Sequence, residues 1–250
     1  MAWDAKICCM SSASQRALVS LNVIQDTSLY YFDLLLSFSF YVATLNIIWR
    51  HSALLKLILT APDHSLYESF CSRFNYFPGV EIVNRGFQEI AKYDCLVSPA
   101  NSFGMMDGGM DAEIIEFFGI ALEDRVKQCI LENFLGEQPV GTSLIVRTGH
   151  PQYPFLAHTP TMRVPMQIKG ADIPYIAMWA MLLEVHRYNR THPNSIGSVV
   201  CPGLGTGIGQ IPPLEAARQM ALAYDHFLYP PKQLNCFVAA SRQLAIWEGS

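Results

Sequence analysis

Short apolar runs ended by Gly, Pro or Asp alternate along most of this chain with stretches whose apolar residues recur every three or four positions. That alternation predicts strands followed by helices. Leu54 to Leu59 is a continuous apolar run, closed by Thr60-Ala61-Pro62-Asp63, and has the character of a buried strand. Leu66, Phe70 and Phe74 then fall at helical spacing within 65–74, and Pro78-Gly79 turns the chain into a strand at 80–83, which makes a βαβ unit. A second buried strand at 93–97 leads into a glycine-rich loop, followed by helices at 112–118 and 122–135. Short strands are expected at 143–147 and 155–159, a long apolar helix at 175–189, and a strand at 198–201 before a second glycine-rich loop. Pro212-Pro213 opens a last long helix to about residue 227, with Pro213 in a first turn where its missing N–H costs nothing, and 235–239 is read as a final strand. The pattern predicts an α/β fold: a three-layer α/β/α sandwich around a mixed, largely parallel sheet, the 143–159 pair supplying the mixed part.

The first fifty residues break this rhythm. Leu29 to Trp49 is apolar except for Asp33, a few Ser and Thr, and Asn46. Its uninterrupted part, Leu34 to Trp49, spans 16 residues, short of the roughly 17 to 25 that a membrane-crossing helix needs. Lys6 and Arg16 are offset by Asp4, Asp26 and Asp33, so no secretory n-region is formed. The chain is therefore expected to divide into an apolar N-terminal extension, 1–50, and an α/β domain, 51–250. Membrane association through 29–49 stays open as an alternative to packing on the domain.

Composition narrows the function. Apolar residues make up 51% of the chain and charged residues 15%, which is a globular composition with enough apolar surface for a large core. The formal net charge is -4 and the Lys and Arg are scattered, so no long nucleic acid is expected as a partner, and an anionic ligand has to be held mainly by backbone amides. Seven cysteines with no CxxC pair suggest neither a zinc site nor a disulfide framework. An intracellular location, cytoplasmic or nuclear, and no cofactor or metal are expected.

Candidate chemistry lies in the two glycine-rich loops. In the second, Gly203, Gly205, Gly207 and Gly209 alternate with Leu204, Thr206 and Ile208, a spacing that permits positive φ and gathers successive N–H groups into a nest suited to phosphate. Neither a Walker A lysine nor GxGxxG is present in this register, and a plain tight turn is the alternative. The first loop places Asn101 just after a strand, the pair Gly108-Gly109 beyond it, and Asp111 at the start of a helix. Asn101 can donate to and accept from sugar hydroxyls, while Asp111 can orient water or cap the helix. His158 reads as a buried core histidine and Cys201 as a small core residue.

These residues carry a resemblance over roughly 54–243. Ser98-Pro99-Ala100-Asn101, Asp107-Gly108-Gly109-Met110-Asp111 and Gly203 to Gly209, in that order, resemble the motifs of the macro domain family of ADP-ribose-binding modules. The resemblance implies a cleft for ADP-ribose, with Asn101 on the distal ribose, the Gly108-Gly109 backbone beside the diphosphate, and Gly205, Thr206, Gly207, Ile208 and Gly209 closing on the phosphates from the other side; Ser98, Ala100 and Met110 are further ligand-binding residues that it implies. It also implies catalytic roles for Asp111 and Asn101 in hydrolysing an ADP-ribosyl ester or ADP-ribose 1″-phosphate. A non-catalytic reader of ADP-ribosylated proteins is one alternative, and an interaction protein tethered by its N-terminus is another. The chain departs from the family in two places: Gly86 stands where many members place an Asp on the adenine, with Asp63 as the substitute candidate, and Gly209 stands where an aromatic often covers the distal ribose.

Overall fold

The structure, a computed structural model, describes residues 55–168, 170, 172–193 and 195–247. The elements in chain order are β1 (Lys56–Thr60), α1 (His64–Phe74), β2 (Val80–Val83), a single 3₁₀ turn (Phe87–Glu89), β3 (Cys95–Ser98), α2 (Gly109–Phe118), α3 (Ala121–Phe134), β4 (Leu144–Arg147), β5 (Phe155–His158), α4 (Ile173–Thr191), β6 (Ser198–Cys201), α5 (Pro213–Leu228) and α6 (Cys236–Trp247). Six strands form one sheet in the order β2-β1-β6-β3-β5-β4. Four of the five pairings are parallel and only β4 runs against β5, so the sheet is mixed and mostly parallel.

Central strands covered on both faces have to be apolar at every position, and β3 and β6 are buried almost throughout. Their side chains divide by parity. Cys95, Val97, Val199 and Cys201 join one core with α1, α4 and α5, while Leu96 and Val200 join a second core with α2 and α3. Three layers result. The first core is closed at one corner by aromatic rings: Phe70 meets Phe74 edge-on at 5.9 Å, and Phe77 meets Tyr224 edge-on at 5.2 Å, which pins α1 to α5.

The helix after β3 lies on one face and the helix after β6 on the other, although the two strands are neighbours. Their connecting loops must diverge at the carboxyl edge, and a crevice opens between them. Both glycine-rich loops border that crevice.

Two local expectations are corrected. Residues 235–239 form the start of α6 instead of a strand: Asn235 accepts from the Val238 N–H through Oδ1 at 2.9 Å and from the Ala239 N–H through its carbonyl at 3.1 Å. A short apolar run has no period of its own, and the Asn cap decides the outcome. Helix α2 starts at Gly109 and not at 112, which puts Asp111 in its first turn. Among the described residues no helix is long and apolar enough to cross a membrane; 29–49 lies outside them.

Candidate functional site

A cleft of about 240 Å³ opens at the crevice. The first loop lines it with Pro99, Ala100, Asn101, Met105 and Asp107 to Asp111, and the second with Pro202, Gly203 and Gly205 to Gly209. Thr60, Pro62 and Leu66 wall the end nearest β1, and Thr161, Met162 and Pro165 the end nearest β5. The two loops thus share one cleft.

A third segment stitches them together. Beyond the strand ends, β3 and β5 keep exchanging backbone bonds: Thr159 N–H to Ser98 O at 3.0 Å, Ala100 N–H to Thr159 O at 3.1 Å, Thr161 N–H to Ala100 O at 2.9 Å. The Ser102 N–H then reaches Met162 O at 3.1 Å, and the Ile168 N–H reaches Gly209 O at 3.0 Å. Arg163 adds a two-point ion pair to Glu137 and lies 5.5 Å above the Phe103 ring. Nothing in the composition of 160–168 had marked it as part of the site.

The glycines serve different ends. Of the second loop's four, only Gly205 has positive φ, at 77°. Gly209 is required for space, since a Cβ there would sit 2.6 Å from the Gly205 carbonyl and 2.7 Å from Ile168 Cγ1. The Ile168 side chain therefore stands against the position where an aromatic was missed. A Cβ on Gly207 would meet nothing within 4 Å, and Ile208 Cδ1 lies 3.8 Å from where a Cβ on Gly108 would be, so the Ile208 side chain leans from one loop toward the other.

Helix α2 begins at the cleft with Gly108 as its N-cap and no side-chain cap bond. The first amides of a helix have no intrahelical partner, so this terminus offers N–H donors and the positive end of the dipole to an anion. Asp111 sits in this first turn, 6% exposed, and accepts from the Ser98 hydroxyl at 2.6 Å. Burial pushes its carboxyl up to about 6; the Ser98 bond opposes that rise, and the nearby Asp107 and Glu123 charges add to it. Desolvation outweighs the hydrogen bond here.

Several candidate residues have structural tasks the sequence did not show. Ser98 is fully buried behind Asp111 and does not line the cleft. Asn101 lines it, but its Oδ1 accepts from the Phe103 and Met105 N–H groups at 3.1 and 3.3 Å, and its Nδ2 donates to Met105 O at 2.7 Å. One amide hydrogen is left to offer. Asp63 caps α1 by accepting from the Leu66 N–H at 2.9 Å, and it is not among the lining residues. His158 is buried, its Nδ1 paired with Gln138 Oε1 at 2.7 Å and its ring pushed down to about 3 by burial, which leaves it neutral. Burial also pushes the Cys201 thiol up, away from nucleophilic thiolate. Among the described residues no group of three or more His, Cys, Asp or Glu is placed to hold a metal ion.

Glu113 is a charged lining residue that the sequence reading did not single out: it reaches the cleft from the second turn of α2 and accepts from Gln88 Nε2 at 3.2 Å. Only the contact with Gln88, distant in sequence, distinguishes it from a solvated helix charge.

Parts of the chain are similar to known proteins. An uncharacterized protein of Aquifex aeolicus is 28% identical over 142 residues, 56% of this chain and 78% of its own. One of Aeropyrum pernix is 28% identical over 141 residues, 56% of this chain and 68% of its own. Similar solved structures include the macrodomain of Mycobacterium tuberculosis DarG (18% identity, TM-score 0.47, covering 56% of this chain and 87% of that one). The Oceanobacillus iheyensis macrodomain with ADP is 20% identical at a TM-score of 0.46, over 56% of this chain and 71% of that one. The Macro domain family model matches residues 97–220, a span that takes in both glycine-rich loops and the segment joining them. Over that span the chain is similar to the macro domain family.

Proposed function

We propose that residues 51–250 bind ADP-ribose or a close derivative in this cleft, with 1–50 as an appended extension. The observation that carries this is the cradle itself: two glycine-rich loops and an uncapped helix N-terminus border one crevice, with no Lys or Arg lining it among the described residues. A pyrophosphate there is held by main-chain N–H groups, each charge-assisted bond contributing about 1.5 to 3 kcal/mol. Gly108, Gly109 and Met110 face the diphosphate from one side and Gly205 to Gly209 from the other. Ala100 and the remaining Asn101 amide hydrogen serve the distal ribose. Titrating the full chain with ADP-ribose by calorimetry tests this; no heat and no thermal stabilisation at millimolar ligand overturns it.

The placement of Asp111 favours a second step, hydrolysis of an ADP-ribosyl ester. The ionised carboxylate takes a proton from a water whose oxygen bonds to C1″. The bond from C1″ to the acyl oxygen breaks, and the acid departs as a carboxylate. Because this requires ionised Asp111, the rate rises with pH through about 6. Ser98→Ala removes the bond that holds the carboxyl down and moves that limb to higher pH. Asp111→Ala should abolish turnover; equal cleavage by wild type and variant defeats the role of Asp111, and cleavage by neither leaves a reader of ADP-ribosylated proteins.

A further inference from the structure

One end of the cleft has the makings of a base pocket, and its polar group differs from those expected. Pro62 and Leu66 give it an apolar wall. Loop 84–89 is tied to that wall, with Asn84 Nδ2 donating to Ala61 O at 2.7 Å and the Thr60 hydroxyl donating to Arg85 O. The same loop reaches across to α2 through Gln88, whose Nε2 donates to Glu113 Oε2 at 3.2 Å. Glu113 and the apolar wall are therefore held at the same end by one loop.

Gly86 makes this arrangement possible. A Cβ at that position would lie 2.5 Å from Gln88 Oε1, so the Gln88 amide fills the space a side chain at 86 would take. With one carboxylate oxygen engaged by Gln88, the other is left to accept from a donor on the ligand. An apolar wall beside a single placed acceptor is the pattern that recognises a planar ring bearing an amine.

We propose that Glu113, oriented by Gln88, is the specificity-determining residue that reads the exocyclic amine of the ligand's base, with Gln88 as its positioning residue. The proposal rests on the ADP-ribose reading above. It replaces Asp63, whose carboxylate caps α1 and does not line the cleft.

The test titrates the full chain with ADP-ribose and with the analogue in which hydrogen replaces the 6-amino group of the purine. Wild type should bind ADP-ribose about ten- to a hundredfold more tightly than the analogue, the range for one hydrogen bond to a charged group. Glu113→Ala should weaken ADP-ribose to the level of the analogue and leave the analogue's own affinity unchanged. Gly86→Ala, which displaces the Gln88 amide without touching Glu113, should shrink the ratio between the two ligands. Glu113 is exposed and Gly86 half-buried, and unchanged melting temperatures would show that the variants fold. Equal wild-type affinities for the two ligands, or a ratio that survives Glu113→Ala, overturns the proposal while leaving ADP-ribose binding intact. Failure of wild type to bind either ligand overturns the functional reading itself.

Discussion

A carboxyl as enclosed as that of Asp111 couples folding to pH. Its folded value of about 6 stands above the ordinary 3.8, so the folded state favours the protonated form. Below about 3.8 both folded and unfolded chains are protonated and nothing is lost; as pH rises through 6 stability falls, and beyond 6 the full penalty of about 3 kcal/mol applies. Asp111→Asn should therefore raise the melting temperature at pH 8 and give no gain at pH 4. An equal gain at both would show that the carboxyl is not perturbed. Two glycines allow the opposite kind of experiment. Gly207→Val projects into open space and should weaken ligand binding with little change in stability. Gly209→Ala forces a methyl against the Gly205 carbonyl and should cost about 1 to 3 kcal/mol. Denaturation curves with and without ADP-ribose separate the two. The spacing of these glycines was plain in the sequence. Which of them answers to φ, which to crowding and which to neither depends on Ile168, about forty residues away, and no local pattern shows that.

Side-chain caps fix the starts of α1 and α6. Asp63 anchors α1 through the Leu66 amide, so Asp63→Ala should cost about 1 kcal/mol of stability and leave ADP-ribose affinity unchanged. A loss of affinity without a loss of stability would restore Asp63 to the base pocket. Strands β1 to β6 were legible because each is a short apolar run closed by a turn residue, and the long helices because their period is sustained. The segment at 235 misled because five residues cannot distinguish a period of two from 3.6, and only the bond from Asn235 to the Val238 amide settles it. The same limit hid the candidate site's interior. Ser98, Asn101 and Asp111 were all legible as a motif. That Ser98 serves Asp111, and that Asn101 spends most of its amide on its own loop, follows from where side chains turn at a strand end.

For the whole molecule, ligand binding and stability are two measures of one cleft. The loops and the 160–168 segment are stitched together by backbone bonds, so a ligand that bridges them binds the folded chain alone. At a hundredfold excess over its Kd it should stabilise the fold by about 2.7 kcal/mol, a rise in melting temperature of roughly 5 to 10 °C for a chain of this size. The cleft has a kinetic consequence too. Among the described residues its lining holds Asp107, Asp111 and Glu113 and no lysine or arginine, on a chain whose net charge is -4. An approaching pyrophosphate meets repulsion at long range and attraction only on contact. Added salt should then hasten the encounter, where a basic nucleotide pocket would be slowed.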